Sequence, residues 1–84
     1  MNRKKLLRKA LGGTKNLRFD EVVTLAQGFG FRLSRTSGSH HIFAHASIPE
    51  LVNLQNVSSK AKPYQVRQLL RLVEKYNLQL EEDK

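Results

Sequence analysis

Two apolar helical stripes bracket the middle of the chain, and their order constrains the fold more than any other feature. Val22, Leu25, Ala26 and Phe29 follow the i, i+3, i+4, i+7 rule of one helix face. Asp20 and Glu21 stand where acids favour a helix start, and Gly28 and Gly30 where a helix stops, so a helix is predicted over about 19–28. Val66, Leu69, Leu70 and Val73, extended by Tyr76, form the second stripe. Pro63 suits its first turn, and the helix is predicted over 63–76.

Between the stripes the apolar period shortens. Phe31 and Leu33 alternate with Arg32 and Ser34, which reads as a half-buried strand. Thr36-Ser37-Gly38-Ser39 is turn chemistry, and His40 to His45 follows as a second strand carrying Ile42 and Phe43. Pro49 reads as a break, and Leu51 to Val57 as a third strand. Ahead of this module, Leu6, Leu7, Ala10 and Leu11 share one face of a short basic helix at 3–11, stopped by Gly12-Gly13. The expectation is an α+β two-layer domain. An antiparallel three-stranded sheet carries both core helices on one face, and an extra helix precedes them. Residues 1–15 read as a basic helical extension and 16–80 as the domain. The order is that of double-stranded-RNA-binding domains, which by itself assigns no function.

Composition narrows the class of function. There is no cysteine, hence neither a disulfide nor a thiolate metal site. No apolar run approaches the ~20 residues of a membrane span or the ~7–15 of a signal peptide core, so a soluble cytoplasmic protein is expected. Fifteen Lys and Arg against seven Asp and Glu give a net charge of +8, which attracts polyanions whatever their sequence. A surface that only aids solubility, or one that meets an acidic protein, fits the same charge. The basic residues cluster over 1–18 and 60–75, whereas Glu81-Glu82-Asp83 is an acidic tail expected to fray. The basic first helix could lie on an anionic membrane, but few bulky apolar residues support that.

All three histidines fall within six residues, at His40, His41 and His45. Strand alternation sends His41 and His45 to one face and His40 to the other. Histidine exchanges protons near neutral pH, and RNA carries its own nucleophile in the 2′-hydroxyl. Such a group could deprotonate that hydroxyl or protonate the leaving oxygen. The alternatives are ordinary strand histidines satisfied by hydrogen bonds, or a zinc pair at His41 and His45 that would need a distant third ligand. A second constellation is Lys60-Ala61-Lys62-Pro63, leading into a helix with Arg67, Arg71 and Lys75 every four residues. Free N–H groups at a helix start, with flanking Lys, make a phosphate site.

The stretch Gly30-Phe31-Arg32-Leu33-Ser34-Arg35-Thr36-Ser37-Gly38-Ser39-His40-His41-Ile42-Phe43-Ala44-His45 resembles the signature of HicA toxins, most specifically in its Gly-Ser-His-His core. The resemblance runs from about Phe19 to Tyr76. It implies a double-stranded-RNA-binding-domain-like fold and a metal-independent endoribonuclease with no cofactor. Such an enzyme cleaves mRNA, blocks translation and is neutralised by a HicB-like antitoxin. It also implies one catalytic histidine, here His40 or else His41. In the reading of the residues themselves, Gly38 permits the tight turn, Ser39 would bond phosphate, and Lys60, Lys62, Arg67 and Arg71 would hold the RNA backbone. The sequence departs from the family where a Val-Pro-His-type segment usually ends the third strand and Asn53-Leu54-Gln55-Asn56-Val57 stands instead. It also departs in its N-terminal extension. A non-catalytic RNA-binding module and a basic interaction protein remain open as other readings. The oligomeric state is not given by the sequence.

Overall fold

A computed structural model describes residues 2–81. The acidic residues Glu82 and Asp83 lie outside the described residues. The elements are α1 (Arg3–Gly12), α2 (Phe19–Gly28), β1 (Arg32–Ser37), β2 (His40–His45), β3 (Ile48–Gln55) and α3 (Pro63–Lys75). The sheet is antiparallel in the order β1-β2-β3, an α+β two-layer arrangement with an extra N-terminal helix.

The helix boundaries follow local chemistry. Asn2 caps α1 by accepting the Lys5 N–H at 3.2 Å. The Glu21 carboxylate accepts the Arg18 N–H at 2.9 Å, capping α2 from its first turn. Gly30, at φ +95°, supplies the left-handed residue that turns the chain out of α2. Pro63 opens α3 as its first residue.

The core lies between the sheet and the helices. Phe43 of β2 and Val52 and Leu54 of β3 meet Val22, Leu25 and Ala26 of α2 and Val66 and Leu69 of α3, all essentially without solvent contact. Phe29 and Phe31 close the α2 end. α1 packs on α2 through Leu6 and Ala10, and Lys9 clasps Glu21 at 3.0 Å. The chain beyond α3 returns to α2, where the Glu81 N–H donates to the Gly28 carbonyl at 2.7 Å. The start of the tail is therefore held by a backbone hydrogen bond.

Two strand expectations change. β1 is exposed along its whole length, Leu33 included, because α2 and α3 pack chiefly over β3. Only Phe31, just before the strand, is buried. β3 runs from Ile48 to Gln55 and takes in Pro49, which therefore does not break the chain. Pro49 falls within a register irregularity on an edge strand, between the pairs His45–Ile48 and Phe43–Val52, where a missing N–H costs nothing to the ladder.

Candidate functional site

The strand pair that carries the histidines closes tightly. Ser37 pairs with His40, leaving Gly38-Ser39 as a two-residue turn with Gly38 at φ +58°. Glycine at the first central position of such a hairpin turn meets a positive φ without a side-chain clash. The turn makes His40 and His41 the first two residues of β2, on opposite faces of the sheet.

His40 lies exposed on the face that carries no helix. Asn53, on β3, sits diagonally across from it, with the amide Nδ2 at 2.9 Å and Oδ1 at 3.2 Å from His40 Nδ1. The amide can therefore donate to a bare Nδ1 or accept from a protonated one, and it serves either charge state of the ring. β1 adds cations to the same face. A bulge at Ser34, between the pairs Leu33–Phe43 and Arg35–Ile42, inserts one residue into the alternation. Arg35 thereby joins Arg32, opposite Ala44, on the face of His40.

His41 lies on the helix side, opposite Leu54. Its Nδ1 is 3.0 Å from the Ser39 carbonyl, which can only accept, so Nδ1 carries a proton and Nε2 is left as the exchangeable nitrogen. The ring stacks on Phe19, centroids 4.7 Å apart and tilted by 54°. Beside it the Phe19 N–H donates to the Ser59 carbonyl, the Asn56 N–H donates to the Ser39 carbonyl, and Lys60 bridges to Arg18. Arg18, Phe19, Asp20, Asn56 and Ser59 line a small cleft here of about 140 Å³.

His45 is committed to the fold. Its Nε2–H donates to the Phe29 carbonyl at 3.0 Å, its Nδ1 accepts the Ser47 N–H at 3.0 Å, and its ring meets the edge of Phe31. Both ring nitrogens are occupied, so the zinc pair imagined for His41 and His45 lacks one of its donors. Among the described residues no group of three or more His, Cys, Asp or Glu is placed to hold a metal ion.

The other residues singled out in the sequence do not form one surface. Gly38, Ser39 and Lys60 gather at the turn end of the sheet, and Lys62 is the N-cap residue of α3, its ammonium 5.9 Å from the Tyr64 ring centroid. Arg67 and Arg71 lie in the helix layer beside α1, where Arg67 donates to Thr14 Oγ1 at 3.2 Å. Lys75 leaves the expected stripe. It pairs with Glu50 at 2.8 Å, and Tyr76 donates its hydroxyl proton to the same carboxylate. Those two partners hold the Glu50 carboxyl below the ordinary carboxylate range. Eight residues from Arg67 to Lys75 turn a helix by about 80° past two full circles, enough to change the neighbours met.

Asn53, Arg35 and Phe19 were not foreseen as members of the site. A polar Asn53 between Val52 and Leu54 marks a residue facing away from the core, but its pairing with His40 depends on register. Arg35 depends on a bulge that no residue type announces.

An α-β-β-β-α core with an added helix and a histidine-bearing Gly-Ser hairpin defines the class: a small basic α+β domain with its sheet open on one side. The family described as HicA toxin of bacterial toxin-antitoxin matches residues 19–74, and the chain belongs to that family. It is thus a toxin of the toxin–antitoxin type, and the family implies an antitoxin partner. None of the curated proteins matches the chain. No helix among the described residues is long and apolar enough to cross a membrane.

Proposed function

We propose that the chain is a cytoplasmic endoribonuclease that cleaves mRNA without a metal cofactor, arrests translation and is neutralised by a HicB-like antitoxin. The observation that carries this reading is the exposed His40 with its Nδ1 edge against Asn53. The ring is oriented by an amide that tolerates both protonation states, and its Nε2 has no partner among the described residues. A general acid–base needs that combination. His40 removes the 2′-hydroxyl proton or supplies one to the departing 5′-oxygen. Arg35 and Arg32, on the same face, offset charge at the phosphorus. Gly38 and Ser39 let the backbone approach the turn, and Lys60 and Lys62 hold flanking phosphates.

The test is induced expression together with cleavage of a defined mRNA by purified protein in EDTA. Wild type arrests growth and cuts. His40→Ala does neither, yet stays folded and binds RNA. A fully toxic His40→Ala variant would remove His40 from the chemistry. Intact RNA with salt-sensitive binding by the wild type would instead favour a non-catalytic RNA-binding module.

A second reading places the chemistry at His41, favoured by the Ser39 carbonyl that fixes its tautomer with Nε2 as the base. Because the two histidines face opposite sides of the sheet, single substitutions separate the readings. Only one of His40→Ala and His41→Ala should abolish cleavage.

A further inference from the structure

α1 and α3 each pack mainly on other elements. α1 leans on α2 and α3 on β3, and a groove of about 670 Å³ runs between them. One wall is Lys4, Leu7 and Leu11, one successive side of α1. The other is Arg67, Leu70 and Arg71, followed by Val73 and Glu74, along α3. Phe29 and the returning segment at Leu78 and Leu80 complete it. Leu6 and Ala10 already spend the core-facing side of α1, so Leu7 and Leu11 are a second apolar row, and Leu11 is 67% exposed.

We propose that this groove docks an acidic amphipathic helix of a protein partner. Two helices with an apolar gap between them accept a third helix, whose apolar row fills the gap. The rim selects its charge: among the described residues Arg67 and Arg71 stand against the acid Glu74, on a chain of net charge +8. RNA would satisfy the cations but leave the leucines in water, and a concave gap does not suit a flat bilayer. Membership of a toxin–antitoxin family implies a protein partner, and the docking proposed here does not depend on RNA cleavage or on His40. Half of the lining, from α1 and the stretch beyond α3, lies outside residues 19–74, the segment of the family match.

The test is an amide-resonance titration of the full chain, labelled with nitrogen-15. The probes are a synthetic helix-forming peptide with leucines at i, i+3, i+4 and i+7 and glutamates on its flanks, its twin with lysine for every glutamate, and a single-stranded RNA oligonucleotide. The acidic peptide should shift Leu7, Leu11, Leu70, Arg71 and Leu78 saturably and leave His40 and Asn53 in place. The lysine twin should bind at least about tenfold more weakly, and Leu11→Glu should weaken the acidic peptide by a similar factor, as for a central interface residue. Unchanged resonances elsewhere in Leu11→Glu report an intact fold. The proposal is overturned if no groove resonance moves, if both peptides bind equally, if Leu11→Glu has no effect, or if the RNA and not the peptide occupies the groove. None of these outcomes touches the cleavage assay, so the two readings fail separately.

Discussion

Asn53 holds the Nδ1 edge of His40 from the neighbouring strand, two residues off the register pair, with its amide nitrogen at 2.9 Å. Asn53→Ala should therefore lower kcat with little change in KM, and by less than the roughly 10²–10⁴-fold expected for loss of the acid–base group in His40→Ala. Single-turnover cleavage across a pH series checks this. A positioning role predicts an altered pH profile, whereas equal activity at every pH would show that the amide orients nothing of consequence.

Arg35 reaches the His40 face only because of the bulge at Ser34. Arg35→Gln should reduce RNA cleavage and flatten the salt dependence of RNA binding by about one phosphate contact. Arg67→Gln, on the helix layer, should leave cleavage near wild type. The comparison, made at several salt concentrations, tests which face RNA uses.

His45 supports the fold. In His45→Ala the part-buried Phe29 carbonyl loses its partner at a cost of about 1–3 kcal/mol, while the exposed Ser47 N–H can turn to water. Urea denaturation should show the loss, with cleavage retained at temperatures where the variant is folded. Gly30→Ala should act on the same spot, because its new methyl group would come 2.8 Å from His45 Nε2 at a backbone φ of +95°.

Gln65 is the one buried polar side chain among the described residues, 1% exposed. Its Oε1 accepts the Gln55 N–H at 2.7 Å and its Nε2–H donates to Gln55 Oε1 at 2.9 Å, tying α3 to the end of β3. Gln65→Leu keeps the volume but strands that backbone N–H, at a cost of about 1–3 kcal/mol. The denaturation midpoint should fall without a change in slope.

Acid should weaken the fold through two carboxylates. The Arg18 N–H, helped by Lys9 against the opposing effect of burial, lowers Glu21, and Lys75 with Tyr76 lowers Glu50. A lowered folded-state value means stabilisation that is present above the ordinary carboxylate value of 4.5 and is lost as pH falls below it. Tyr76, raised chiefly by its bond to Glu50, gives the opposite limb: its contribution holds below 10.0 and fades as pH rises further. Glu50→Gln should shrink both limbs in thermal melts across pH.

The helices and their order could be read from the sequence because each carries its own signals: Val22-Leu25-Ala26-Phe29 with an acidic start, and Pro63 before a clean apolar stripe. β1 could not be judged as easily. Leu33 alternates as a buried residue would, yet burial depends on whether a helix reaches that far across the sheet, which is a tertiary fact. Pro49 misled for a related reason, since proline is excluded from paired positions and not from irregular edge ones. In the site, His40 and His41 and their opposite faces followed from the sequence. Asn53, Arg35 and the commitment of His45 required register and hydrogen bonds between residues distant in the chain.

α1 precedes the matched segment in the chain and rests chiefly on α2, while His40 and His41 lie on the β1–β2 hairpin. Mutations can accumulate along its outer leucines while the hairpin stays constant. On the docking proposed for the groove, such drift would change which partner the toxin accepts without altering the hairpin, a lock recut without touching the blade behind it.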